Sequence, residues 1–192
     1  LTLKAVLGRK VSWQTTLGKQ MNIGIRKWQT SDLENLVRYA NNKNISDKLA
    51  DAFPYPYTKE FGMRFIEKVS TEDPTKIFAI TLEDNAVGSI GIFPDTDIHR
   101  RNAAIAYWVA EPYWGRGIAV KAIALIMDYA FRTFDIVRVY AKPYGGNPNS
   151  HKVLEKAGFE LEATLKNAVY KNGQYLDELI YSYTQGKPTS RH

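Results

Sequence analysis

Ile23 and Ile25 alternate with polar neighbours, the period of a half-buried strand. Ser31-Asp-Leu-Glu34 then reads as a capping box that opens a helix to about Ala40. Residues 44–52 fit a short helix, stopped by Phe53-Pro54-Tyr55-Pro56-Tyr57, where two prolines forbid regular pairing. Thr58 is placed to cap a second, longer helix to about Val69. Residues 76–83 and 86–93 are apolar strand-like runs separated by Glu83-Asp84-Asn85, the pattern of a hairpin, and 103–110 is a further run. Residues 118–134 are apolar nearly all round, broken only by Lys121, Asp128 and Arg132. A helix of that kind needs cover on most sides, so it belongs against a sheet. A strand at 135–142, a short helix at 150–157 and a closing hairpin of 159–170 with 175–184 complete the pattern. Asn172-Gly173 supplies the hairpin turn. The order predicts an α+β (mixed α/β) domain, with no internal repeat.

The ends lack this pattern. Residues 1–20 show no sustained period and carry Lys4, Arg9, Lys10 and Lys19 without an acid, and Met21 stands just before the first strand-like run. They are expected to be an N-terminal extension: an expression remnant, an upstream reading or an arm for a partner. The domain is then 21–185, with a polar tail over 186–192.

This division changes the meaning of the charge. The chain has 26 basic and 20 acidic residues, a formal net charge of +6. Four of the basic residues lie in 1–20 and two lie beyond 185, while all 20 acids lie between. The domain is therefore neutral, and the excess is no argument for a polyanionic partner. The aromatic residues alternate with apolar ones, as core does, rather than forming a stacking platform, so nucleic-acid binding is not expected. No apolar run approaches the roughly 18 residues of a membrane span. The chain has no cysteine, which removes disulfides, thiolate metal sites and a cysteine nucleophile, and leans toward a cytoplasmic location. His99, His151 and His192 are too scattered for a metal site, and none is expected.

Two segments carry candidate chemistry. Glu111-Pro112-Tyr113-Trp114-Gly115-Arg116-Gly117-Ile118-Ala119 follows a strand and opens the most apolar helix. Its glycines permit close approach of the backbone, and free N–H groups at a helix start attract anions. No Gly-Lys-Ser/Thr closes the loop, so it is not a P-loop, and a tight turn without a ligand is the plain alternative. In the second segment, Asn147-Pro-Asn-Ser150 precedes His151 to Phe159. Ser150 is a plausible N-cap, Lys152 and Lys156 share a face, and Gly158 fits the helix stop.

Together these segments resemble the GNAT acyl-CoA N-acyltransferase superfamily, most closely its ribosomal-protein N-terminal acetyltransferase branch. Trp114-Gly-Arg-Gly-Ile-Ala119 stands where that family has its pyrophosphate loop, with Trp114 in place of the leading Arg or Gln. Asn147-x-x-Ser150 with Leu154-Glu-Lys-Ala-Gly-Phe159, Tyr107-Trp108-Val109, and the 53–57 loop match in order and spacing, over about 22–184. The resemblance implies a twisted, mostly antiparallel sheet of six to seven strands, split between the fourth (103–110) and fifth (135–142), with flanking helices. It implies acetyl-CoA as cosubstrate and an amine as acceptor, either a protein N-terminal α-amine or a small molecule. Trp108, Val109 and Ala110 are expected at the pantetheine and acetyl end, with an N–H near Val109 facing the thioester carbonyl. Trp114, Gly115, Arg116, Gly117, Ile118 and Ala119 are expected at the pyrophosphate, Asn147 on the cofactor arm and Lys152 near the 3′-phosphate. Ser150 is expected to serve as acid for the departing thiolate, with Tyr140 and Tyr144 as alternatives. Glu111 is the first candidate for base and His99 a weaker one. A catalytically silent acyl-CoA-binding regulator on the same fold is the competing reading. A homodimer using 173–184 as its edge is a further possibility.

Overall fold

The computed structural model describes residues 21–186. The expectations for residues 1–20 and for the tail beyond 186 lie outside the described residues. The strands are β1 (Ile23–Lys27), β2 (Ile77–Leu82), β3 (Asn85–Pro94), β4 (Asn102–Val109), β5 (Arg138–Ala141), β6 (Glu160–Lys171) and β7 (Gln174–Thr184). The helices are α1 (Leu33–Ala40), α2 (Lys43–Ser46), α3 (Lys59–Ser70), α4 (Ile118–Thr133) and α5 (Pro148–Lys156). All seven strands join one sheet in the order β1-β2-β3-β4-β5-β7-β6. Every pairing is antiparallel except β4 with β5, which is parallel and covers only Asn102↔Arg138, Ala103↔Val139 and Ala104↔Tyr140.

Side-chain alternation along β4 separates two cores. Ala103, Ile105, Tyr107 and Val109 point to the face covered by α4 and α5, where Ile118, Ile123, Ile126 and Leu154 are buried. Trp108 points to the opposite face, against the cluster of Trp28, Leu36, Tyr57, Ile66 and Val69 beneath α1 and α3. Burying each large aliphatic side chain contributes about 1.5–3 kcal/mol. As its pattern predicts, α4 lies on the sheet, and its polar stripe closes on itself in an Asp128–Arg132 ion pair.

Several local expectations are corrected. α1 follows a 3-10 turn at Thr30–Asp32. Asp32, not Ser31 or Glu34, organises that start: it accepts from the Gln29 N–H at 2.9 Å and takes both Arg26 guanidinium nitrogens at 2.7 and 2.9 Å. α2 is one turn long, because beyond Ser46 the side chains of Asp47, Lys48 and Asp51 reach to other elements. β5 is short because the Val137 N–H turns to the Arg101 carbonyl at 2.8 Å before it, and Pro143 follows it. The 173–184 segment is not the outer strand of the sheet: β7 pairs with β5 on one side and β6 on the other, which leaves β6 outermost. Thr58 caps α3 as expected, accepting from the Phe61 N–H at 3.2 Å.

The close approach of β3 to β4 depends on a missing side chain. A Cβ at Gly88 would stand 2.3 Å from the Trp108 carbonyl oxygen, a backbone atom that cannot swing away. Gly88→Ala is therefore expected to cost about 1–3 kcal/mol, read as a lower urea midpoint. An unchanged midpoint would show that the two strands part there freely.

Candidate active site

The opening in the sheet is built by strand alternation. The Ala110 N–H donates to the Val87 carbonyl at 2.8 Å, so even-numbered β4 residues turn their backbone groups toward β3. Odd-numbered residues turn theirs the other way, toward β5. Because β5 leaves after Ala104↔Tyr140, the Tyr107–Val109 stretch has no strand beside it on that side among the described residues. The Val109 carbonyl is capped instead by the Trp114 indole N–H at 2.6 Å, while the Val109 N–H points into the opening. The three residues expected on β4 thus present different groups to the opening. The backbone of Trp108 faces β3, and its indole meets Phe53 edge-on across the other face, ring centroids 6.0 Å apart. Ala110 is fully spent, with its N–H on Val87 and its carbonyl accepting from the Tyr113 N–H at 2.9 Å.

At the C-terminal end of this edge the chain makes the glycine turn. Gly115 and Gly117 both lie at φ +75°, in the left-handed region that favours glycine. Gly117 is the N-cap of α4, and no side chain bonds the helix start. The first helical bond runs from the Lys121 N–H to the Gly117 carbonyl at 3.1 Å, so the N–H groups of Ile118, Ala119 and Val120 have no helical acceptor. Ile118 is buried and anchors the turn to the core. The Arg116 guanidinium lies over the Tyr113 ring, 5.4 Å from its centroid. Trp114 stays exposed at the mouth. Uncapped amides, the positive end of a sixteen-residue helix and one arginine form a cradle that fits an anion.

Across the opening, Asn147 rather than Ser150 caps α5; its side chain accepts from the Ser150 N–H at 3.3 Å. The Ser150 hydroxyl is thereby released from capping, and it lies 2.9 Å from the Tyr107 hydroxyl. Burial pushes the Tyr107 phenol up to about 12, against a smaller lowering by Ser150. Lys152 is exposed on α5, without an acidic partner among the described residues. The other expected acids are placed differently. Tyr140 donates to Asp95 at 3.2 Å near the paired end of β5. Tyr144 has its phenol pushed upward by burial. His99 precedes β4, whose length puts it roughly 20 Å from Val109.

Glu111 is held rather than poised. Asn42 donates to its carboxylate at 2.6 Å and Asn44 at 3.1 Å, and these bonds, Asn42 first, lower its pKa. A carboxylate so stabilised is a weaker proton acceptor. The same segment reaches the other half of the sheet: Lys48 donates to the Gly146 carbonyl at 3.0 Å, Asp47 accepts from Asn172 at 2.9 Å and Asp51 pairs with the buried Lys171 at 2.7 Å. Residues 42–51 therefore form a crossing between the end of β4 and the tip of the β6–β7 hairpin. A recess of about 270 Å³ lies between this crossing and the tip, lined by Asp47, Asp51, Phe53, Tyr55 and Lys171 among others.

Tyr107 enters the sequence reading only within the Tyr107-Trp108-Val109 strand, with no role assigned to its hydroxyl, and the Asn42–Asn44 pair is not singled out at all. The signal for Tyr107 is its spacing of two from Val109, which puts both on one face of the strand.

A split sheet with an anion cradle at one end and a serine–tyrosine hydroxyl pair on the far wall defines the class of protein, and comparison with known proteins agrees. The model of the acetyltransferase (GNAT) domain matches residues 22–160, and the chain belongs to this family. Among its relatives, the ribosomal-protein-serine acetyltransferase of Escherichia coli is 32% identical over 107 residues, 56% of this chain and 59% of that protein. The spermidine N(1)-acetyltransferase of the same organism is 22% identical over 171 residues, 89% and 90% of the two chains. The solved structure of Mycobacterium smegmatis RimJ in complex with CoA-disulfide superposes with a TM-score of 0.74 at 25% identity, covering 84% of this chain and 81% of that one. Among the described residues no group of three or more acidic, His or Cys side chains gathers as for a metal, and no helix is long and apolar enough to cross a membrane.

The Glu111 tether has a measurable signature. Its carboxyl carbon, followed by NMR, should titrate below the ordinary 4.5 and move back toward it in Asn42→Ala. Since the folded pKa is the lower one, the tether's contribution to stability is fully present above pH 4.5 and fades as pH falls through the folded value. An unshifted midpoint would remove the tether.

Proposed function

We propose that the protein transfers an acetyl group from acetyl-CoA to a primary amine by direct attack, without a covalent enzyme intermediate. The observation that carries this reading is the unpartnered edge of β4, with the Val109 N–H directed into the opening. An extended pantetheine arm is the kind of ligand that completes such an edge, as an added strand does. The cradle at Gly115–Ala119 with Arg116 suits the pyrophosphate, Asn147 borders the arm, and Lys152 is placed for the 3′-phosphate.

Acetyl-CoA supplies an activated acyl carbon, and the chain supplies position and charge control. The Val109 N–H stabilises negative charge developing on the acyl oxygen. Ser150 gives a proton to the departing sulfur. Glu111 holds the acceptor-side crossing in place rather than acting as base, and the amine sheds its proton to solvent. The named relatives act on a ribosomal-protein serine and on spermidine, which supports an amine acceptor of either size. The recess beside Phe53, itself in contact with Trp108, is the acceptor side in this reading.

The decisive experiment is a screen of small amines and N-terminal peptides with detection of released thiol. Turnover on any of them supports the transferase. Tight CoA binding with no turnover on any would favour a silent acyl-CoA-binding regulator instead. Gly117→Asp should weaken acetyl-CoA at least about tenfold by calorimetry, since it puts a negative side chain into the cradle; unchanged affinity would sink the cradle assignment. Ser150→Ala should lower kcat by about a hundredfold with little change in acetyl-CoA affinity. Full activity across pH would remove Ser150 as the acid.

A further inference from the structure

Ser150 is badly matched to its task if it works alone. A thiol ordinarily titrates near about 8.5 and a phenol near about 10, whereas an aliphatic hydroxyl is far less acidic than either. A serine that gave its proton to a thiolate and stopped there would be left as an alkoxide. Two observations supply the missing partner. Asn147 takes over the capping of α5, so the Ser150 hydroxyl is free to bond elsewhere. The alternation of β4 turns the Tyr107 ring to the α4–α5 face, where its hydroxyl meets Ser150 Oγ at 2.9 Å.

We propose that Tyr107 acts through Ser150 as the second member of a proton relay, a positioning residue for the acid. As the carbon–sulfur bond breaks, its electron pair stays on sulfur, and sulfur takes the Ser150 hydroxyl proton. Ser150 Oγ takes the phenolic proton of Tyr107 in the same motion. The residue left charged is a phenolate rather than an alkoxide. The proton shed by the amine nitrogen returns to Tyr107 through solvent, so the cycle closes with no net gain or loss. The phenol is protonated at neutral pH, the form an acid must be in before the reaction; burial pushes it up to about 12, a weaker acid than a free phenol but still a stronger one than an aliphatic hydroxyl. This inference rests on the acetyl-transfer reading above.

Tyr107→Phe removes the hydroxyl and keeps the ring in its packing. It is expected to lower kcat by roughly ten- to a hundredfold, with the KM for acetyl-CoA and the melting temperature unchanged. Because Tyr107 works through Ser150, adding Tyr107→Phe to Ser150→Ala should cost less than roughly twofold more. A readout free of turnover comes from NMR of protein carrying 13C-labelled tyrosine. CoA should shift the Tyr107 ring carbon that bears the hydroxyl in the native protein, and should leave it unmoved in Ser150→Ala. Wild-type kcat in Tyr107→Phe, penalties that multiply in the double variant, or a CoA-induced shift that survives in Ser150→Ala would each overturn the relay. If the native protein turns over an amine and one of these results appears, only the relay falls. If it turns over none, the transferase reading falls and takes the relay with it.

Discussion

A strand edge deprived of its neighbour organises this molecule. β4 and β5 share three residue pairs and then part, and a buried backbone N–H or C=O without a partner is costly. The chain meets the demand unevenly. The Trp114 indole takes the Val109 carbonyl, while the Val109 N–H is left facing the gap. Much else serves to keep the gap open. Gly88 lets β3 hold β4 closely from behind, Pro143 follows the short β5, and β7 holds β5 from its far side. The site is thus an interruption of the sheet, maintained by the parts of the sheet that are complete.

The two walls of the gap differ in chemistry. The α4 wall ends in uncapped amides and offers partial positive charge. The α5 wall has its cap satisfied by Asn147 and offers neutral hydroxyls. One helix start offers partial positive charge and the other a hydroxyl, and the difference follows from a single residue at each N-cap: Gly117, with no side chain to bond the amides, against Asn147, whose side chain accepts from Ser150.

Much of this was legible in the sequence. The long periodic segments gave their elements within a few residues, and the apolar breadth of 118–134 placed α4 on the sheet. The Gly-x-Gly turn was readable because its residue types serve few other purposes. What remained hidden depends on pairing across distance. Strand alternation alone does not say which neighbour the Trp108 backbone faces; that required the register with β3. Ser150 and Asn147 are both competent caps, and the three-residue offset between them is within the uncertainty of a boundary drawn from sequence. Asn42 and Asn44 sit 69 and 67 residues from the Glu111 they restrain, a separation at which no local pattern operates. The edge of the sheet was misassigned for the same reason, since a hairpin does not reveal which of its strands turns inward.

The crossing over residues 42–51 carries a consequence of its own. It connects the two halves of the sheet on the side opposite the shared pairs, through side-chain amides, the Lys48 bond to the Gly146 carbonyl and the pair of exposed Asp51 with buried Lys171, with Ile45 its buried anchor. The two halves are therefore joined by contacts of two kinds, one at each end of the gap: a backbone ladder where β4 meets β5, and side-chain bonds where the strands have parted. The ladder is fixed by the backbone, whereas the far join depends on the identity of a few side chains.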